Sequence, residues 1–388
     1  MKIQFKRFTR PQLLKRIGRD LLVRFFDQFA AHIKQSHIEM PGPHVGDEEY
    51  FGELARLLAL PEALPDTLTE ALFAIDDLST SEGQEQLEMA IAQGGLALAP
   101  HPDGSREELA LQVWLADPVL LARTHNQQQL RRLTAFEHFS AKPGERRDFT
   151  PPGQGALEVL SAELDPWFAQ HLRGRNTTHV ELYPLNGDYW FVVRHGDAFT
   201  RALTVEQQHT EVLHYRPERD DVIAYCPGRA ELRINARTRG ERELYRRKFG
   251  LWLLGCEDSF GCRSTYTLEP LRNEGPDALD AAGLDGIERI VLREIEIDWG
   301  GGFARRTIRM ANDLFGSAAA ANPPEEAIPK DGRLARAAFE ILFRDCRKPR
   351  AVQIRLPNHL KVGRHCDAQR VELWLTRRGF RVENNGYL

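Results

Sequence analysis

TTHVELYPLNGDYWFVVR, residues 177–194, carries the change of period that sets the fold class. Upstream of it apolar residues recur every three or four positions; within it they alternate, as in a half-buried strand. Residues 180–183 and 189–194 flank Asn186-Gly187, a dipeptide that accepts the positive φ of a tight hairpin turn. The alternation continues downstream. Residues 222–225 and 231–235 flank Pro227-Gly228 and predict a second hairpin. A helix over 241–254 follows, with Tyr245, Phe249 and Trp252 on one stripe, then strands over 266–271 and 289–299.

Residues 1–175 read as helical. Thr9 and Gln12 have capping-box spacing and Pro11 fits a first turn, where its missing N–H costs little. Leu14, Ile17, Leu21, Phe25 and Phe29 then predict one amphipathic helix of about five to seven turns. Further helices are expected over 47–60, 67–78, 82–93, 106–121, 130–139 and 157–172, with a Pro/Gly-rich loop at 142–155.

Toward the C-terminus, IRMANDL at 308–314 matches IRLPNHL at 354–360, an offset of 46 at which Glu294, Ile295 and Ile297 fall on Glu340, Ile341 and Phe343. This predicts a duplicated hairpin, with Ile308 and Ile354 equivalent and buried and Arg309 and Arg355 facing outward. Residues 316–332 read as a linker or a long surface loop. Asp367 can cap a helix over 368–378 that ends at Gly379, with Val371, Trp374 and Leu375 inward and a last strand at 380–382.

The predicted fold class is multidomain α+β. An all-helical domain spans 1–175, a mainly antiparallel α+β domain 176–283, and a small α+β unit with the hairpin repeat 284–388. A length of 388 residues, 42% hydrophobic and 28% charged, suits folded domains with sizeable cores and excludes global disorder. No run approaches membrane-spanning length. The five cysteines, Cys226, Cys256, Cys262, Cys346 and Cys366, are scattered and odd in number, and without a secretory signal they suggest reduced thiols in a cytoplasm.

Charge is divided along the chain. Residues 1–24 hold eight Lys/Arg against Asp20, and residues 331–388 hold thirteen against six acids, so each segment is +7. The net charge of −4 leaves −18 for residues 25–330. Basic ends and an acidic middle point to a polyanionic partner or to an acidic surface on another copy. In the last segment Lys348, Arg350, Arg355, Lys361, Arg364, Arg370, Arg377 and Arg378 cluster; near the start Lys15, Arg16 and Arg19 lie off the apolar stripe. Such groups neutralise phosphates and release counterions. They also suit a solvated surface balanced by acids elsewhere in the fold.

Catalytic motifs are weak. A metal-dependent nuclease of the PD-(D/E)xK type needs an Asp opening one strand and E-x-K on the next; Asp221 and Glu231-Leu232-Arg233 have the spacing. Arg233 stands where Lys is required, and a guanidinium stays charged. Glu294, Glu296 and Asp298 alternate on one strand and share a face, either as a metal site or as a solvated edge neutralised by Arg309. The spacing of Cys256, Cys262 and His365-Cys366 departs from structural zinc sites. His209 and His214, either side of Glu211, would face opposite ways on a strand. Gly300-Gly301-Gly302 precedes a strand, so it suits a hairpin turn better than a phosphate loop. No nucleophile elbow, Walker A or dinucleotide fingerprint occurs.

The reading that follows is a non-catalytic, cytoplasmic nucleic-acid-binding or assembly protein that acts through its basic segments, with no cofactor, metal or membrane. The nuclease centred on Asp221 and Glu231 is one alternative; a structural protein that self-assembles through basic ends and an acidic middle is another.

Overall fold

The computed structural model describes residues 5–42, 44–98, 104–142, 149–206, 208–261, 264–363 and 367–382. The chain divides into two compact units, Met1–Leu130 and Arg131–Leu388. The boundary expected at 175 therefore lies inside the second unit, and so does the one expected at 283.

The first unit is helical: α1 (Pro11–Ile17), α2 (Arg19–Asp27), α3 (Ala30–Gln35), α4 (Asp47–Leu58), α5 (Asp66–Leu78), α6 (Ser81–Gly94), α7 (Arg106–Ala116) and α8 (Pro118–Arg131). The single N-terminal helix expected from the stripe is three short ones. Gly18 breaks it at φ +85°, a conformation costly for other residues. The stripe still packs: Leu14, Ile17, Phe25 and Phe29 are buried with Leu54, Leu72 and Val113 in one core. Thr9 does not cap α1; the N-cap is Arg10, without a side-chain bond. A capping box does form at α7, between Ser105 and Glu108.

The second unit is built on one sheet. Its strands are β1 (Ala135–Ser140), β2 (His179–Leu185), β3 (Asp188–Gly196), β6 (Glu218–Cys226), β7 (Glu231–Asn235), β8 (Ile287–Gly300), β9 (Arg305–Met310), β10 (Arg333–Phe343), β11 (Arg350–Arg355) and β12 (His359–Val362). Their order is β2-β3-β6-β7-β1-β12-β11-β10-β8-β9, with antiparallel pairing throughout. A separate ribbon pairs β4 (Thr200–Glu206) with β5 (His209–Tyr215). The helices are α9 (Gln154–Gln170), α10 (Arg239–Leu254), α11 (Glu269–Asn273), α12 (Leu314–Ala320) and α13 (Ala368–Arg377). Asn186 and Gly187, at φ 55° and 82°, make the β2–β3 turn as the dipeptide predicted.

The sheet buries opposite faces in its two halves. Glu137 pairs with Ile234 while its neighbour Phe136 pairs with Leu360, so Ile234 and Leu360 lie on opposite sides. On the Ile234 side, Phe191, Val193, Ile223, Tyr225 and Leu232 pack with Leu160 and Phe168 of α9 and Tyr245 and Phe249 of α10. On the Leu360 side, Ile295, Ala337, Phe339 and Ile354 pack with Val371, Trp374 and Leu375 of α13.

Four local expectations change. Residues 135–140 form the strand that joins the halves, not part of a helix. Instead of a strand over 266–271 there is one bridge, Tyr266 to Arg381, and then α11; Pro270 has no N–H to give a ladder. Residues 316–332 begin inside a helix, α12, capped by Asp313; the loop expected there runs from 321, and its Ile328 is buried. The hairpin repeat is not structural. Ile295 pairs with Arg309, but Ile341 pairs with Arg350 rather than Arg355. Ile308 is 51% exposed and Ile354 fully buried. In urea unfolding, Ile354→Ala should therefore cost about 2–5 kcal/mol. Ile308→Ala should stay within about 0.5 kcal/mol of the parent; similar losses at both positions would contradict this assignment.

Candidate functional site

The register of β6 and β7 separates the two carboxylates proposed for a nuclease. Cys226 pairs with Glu231 and Ile223 with Ile234. Asp221 thus points to the α9/α10 side with Ile223 and Tyr225, and Glu231 to the other, some five residues along the ladder. At about 3.3 Å per residue that is roughly 17 Å, so one ion cannot bridge them. Each acid instead sits in its own buried polar centre.

The Asp221 centre is carried by β3, β6 and α10. The Asp221 carboxylate accepts from Arg219 Nη2 at 2.8 Å and Tyr245 Oη at 2.9 Å, and lies 3.1 Å from His195 Nε2. The other nitrogen of His195 faces the Gly196 carbonyl at 2.8 Å, and its ring stacks on Phe168 at 4.1 Å. Glu241, fully buried, closes the Thr238 capping box of α10 and takes Arg219 and Arg173. Those hydrogen bonds and charges outweigh burial and hold its carboxyl below the ordinary range; burial pushes the Tyr245 hydroxyl well up.

The Glu231 centre lies beneath α13. Glu231 faces His138 Nδ1 at 3.2 Å and binds Arg381; Glu372 of α13 binds Arg229. Arg233 binds Asp188 and lies 5.6 Å from the Trp190 ring centre. Burial drives His138 well below the ordinary histidine value, with Arg233, Arg381 and Arg229 adding to the effect against Glu372. Burial also pushes Arg381 down to about 10.

His138, Glu231 and Glu372, and likewise His195, Asp221 and Glu241, come close enough to ligate a metal. Charge argues for another role. Around Glu231, Arg229, Arg233 and Arg381 balance Asp188, Glu231 and Glu372. Around Asp221, Arg173, Arg219 and Arg237 balance Asp197, Asp221 and Glu241. Arginines already pair with the carboxylates that would have to hold a divalent ion, so both centres read as structural ion-pair networks. The Glu294, Glu296 and Asp298 row is similarly neutralised, by Arg336, Arg306 and Arg333. Arg309, expected there, donates to the Ala327 carbonyl at 3.1 Å. Gly300-Gly301-Gly302 lies in the β8–β9 turn, and His209 and His214 lie on opposite faces of exposed β5. Cys256 is a free exposed thiol; Cys262, His365 and Cys366 lie outside the described residues.

The basic residues split into bound and open groups. Lys15 pairs with Glu48 at 3.1 Å, and Arg19 with Asp47 at 2.9 Å over the Tyr50 ring. Arg350 pairs with Asp367 at 3.4 Å and Arg370 with Asp345 at 2.9 Å; Arg378 binds Asp280. Arg377 donates to the Gly283 carbonyl. Arg364 lies outside the described residues. Arg16, Lys348, Arg355 and Lys361 are exposed and make no ion pair among the described residues.

The structure adds three cations to Lys348. Arg344 and Arg347 share its turn between β10 and β11, and the pairing of Leu342 with Arg289 brings a fourth beside them. All four are exposed and without an ion pair among the described residues. The run RDCRKPR at 344–350 held two of them in plain view; Arg289 needed the register. No protein-family model matches this chain, and neither does any curated protein.

Proposed function

We propose that this chain is a non-catalytic nucleic-acid-binding protein of the cytoplasm, and that it grips phosphates with the basic turn between β10 and β11. The observation that carries the reading is the group Arg289, Arg344, Arg347 and Lys348, four exposed cations without an ion pair among the described residues, the one acid of their turn, Asp345, being bound to Arg370. Arg355 and Lys361 extend it along the outer side of β11 and β12. Cations already paired inside the fold gain less from a phosphate, because they must first release a carboxylate. The buried acids give catalysis no support, since each is held by arginine.

A salt titration with duplex DNA, single-stranded DNA and RNA tests this. In Arg347→Glu/Lys348→Glu, the slope of log affinity against log salt should fall by about 0.7–0.9 for each lost contact. Affinity should drop for all sequences alike, since phosphate contacts position without specifying. Unchanged binding in the folded double variant would remove the turn from the interface. No binding by the parent at low salt would remove nucleic acid altogether.

Assembly is the second reading, and the β4–β5 ribbon favours it. Leu203, Val205, Val212 and Leu213 are 61%, 77%, 46% and 48% exposed on a two-stranded element. Such ribbons are marginal in water alone. Leu203→Ser/Val205→Ser should then lower the oligomeric state seen by light scattering; an unchanged mass would set assembly through the ribbon aside.

A further inference from the structure

A cavity of about 820 Å³ lies in the first unit, bounded by α2, α3, the segment 38–41 and Tyr50 of α4. The local sequence builds it. α3 stops at Ser36, and His37 at φ 54° turns the chain back, so that the Ile38 N–H donates to the Ile33 carbonyl at 3.2 Å. The chain then runs on beside α2. Arg19 ties it there, donating to the Val45 and Gly42 carbonyls at 2.8 and 3.2 Å and to Asp47 at 2.9 Å. The walls are therefore set before a ligand arrives, which lowers the ordering cost of binding.

The lining selects the ligand. Val23, Phe26, Ile33, Ile38 and Met40 make the walls mainly apolar. The volume lies in the upper part of the about 300–1,000 Å³ usual for ligand pockets. One polar group stands among these walls. Tyr50 is only 3% exposed, and its hydroxyl keeps accessible surface yet has no hydrogen-bond partner among the described residues. Burial, against the Arg19 charge, pushes that hydroxyl up, so it keeps its proton and can both donate and accept. At the mouth the charges cancel. Arg24 and Lys34 face Asp20 and Asp27, all four exposed and without an ion pair among the described residues, while Arg19 is neutralised by Asp47. An ionic head would meet as much repulsion as attraction there and would also lose water. An uncharged head loses less and can bond the Tyr50 hydroxyl.

We propose that this cavity binds an uncharged lipid-like molecule of the long-chain alcohol class. The alkyl chain lies against Phe26, Ile33, Ile38 and Met40, and the hydroxyl head bonds Tyr50 Oη. The site belongs to a different compact unit from the basic turn between β10 and β11, so it stands apart from the nucleic-acid reading.

Titration calorimetry on the whole protein tests this with n-octanol, octanoate and octylammonium, which share one chain and differ in the charge of the head. The alcohol should bind about tenfold or more tightly than either ion. Tyr50→Phe keeps the ring beneath Arg19 and removes only the hydroxyl; it should weaken n-octanol binding by about three- to tenfold. Ala30→Trp sets an indole into the cavity from an exposed position of α3 and should abolish binding while leaving the fold intact. No binding of n-octanol up to about 1 mM would overturn the proposal. So would either ion binding as tightly as the alcohol, which would mark a charged-head site, or parental affinity in Tyr50→Phe or Ala30→Trp.

Discussion

Asp221→Ala should destabilise the protein by about 3–5 kcal/mol, the range for removing one partner from a buried ion-pair network. Asp221 is 1% exposed and collects Arg219, Tyr245 and His195. Alanine would leave the Tyr245 hydroxyl and the His195 ring facing a void, and Arg219 with Glu241 as its remaining acid. Tyr245 belongs to α10 and His195 to β3, so the loss would loosen the contact of α10 with the sheet. Urea unfolding followed by circular dichroism would measure it. Asp221→Asn keeps the shape and should cost less than alanine. A variant within about 1 kcal/mol of the parent, yet stripped of a metal-dependent cleavage that the parent shows, would reverse the assignment from structural to catalytic.

How much of this was legible in the sequence differs by element. The β2–β3 and β6–β7 hairpins were plain because a turn dipeptide, Asn186-Gly187 or Pro227-Gly228, sits between two short runs rich in apolar and β-branched residues. α10 and α13 showed their stripes, and Gly379 ended α13 near where it was expected. The strand at 135–140 was hidden because it follows α8 closely and has no hairpin partner beside it in the sequence: the strands it pairs with, β7 and β12, both lie far downstream. The same strand decides the domain division, since it ties the two hairpin groups into one sheet. The matched heptapeptides at 308 and 354 show why composition alone misleads: both lie in hairpins, but β9 is an exposed edge and β11 is central.

The candidate sites were less legible than the fold, for a related reason. Asp221 and Glu231 stood out in the sequence only as a candidate nuclease pair; in the fold both are buried acids, on opposite faces of the sheet. Which face each points to depends on register, and a shift of one residue reverses it. The basic residues were visible as a run, but their partners were not. Asp280 for Arg378, Asp345 for Arg370 and Asp367 for Arg350 are set by the turns and helix ends of the folded unit. The Glu231 centre joins Arg229 to Glu372, residues about 140 apart in sequence, and had no local signal.

Stability should fall as pH drops from about 7 to about 5, and two histidines, the buried His138 and the half-buried His359, should be the cause. Burial, then the Arg355 charge, lowers His359 to about 4. His138 lies well below its ordinary value, also chiefly through burial. In the unfolded chain both titrate near about 6.5. Between those values the unfolded state binds protons that the folded state refuses, so unfolding gains free energy as pH falls. The stability is complete above about pH 6.5 and lost progressively below it, until each folded ring can itself be protonated. One pKa unit is worth about 1.4 kcal/mol; allowing for solvent screening of the part-exposed His359, the two rings together should cost about 2–4 kcal/mol over this range. Carboxylates held below their ordinary range, such as Asp165 and Glu241, add their own losses only at lower pH, near about 4. The His359→Gln variant should therefore flatten the profile between about pH 7 and about pH 5 by roughly half, and leave the steeper fall below it unchanged. A flat profile in the parent, or one that rises as pH falls, would mean that these rings carry their charge inside the folded sheet.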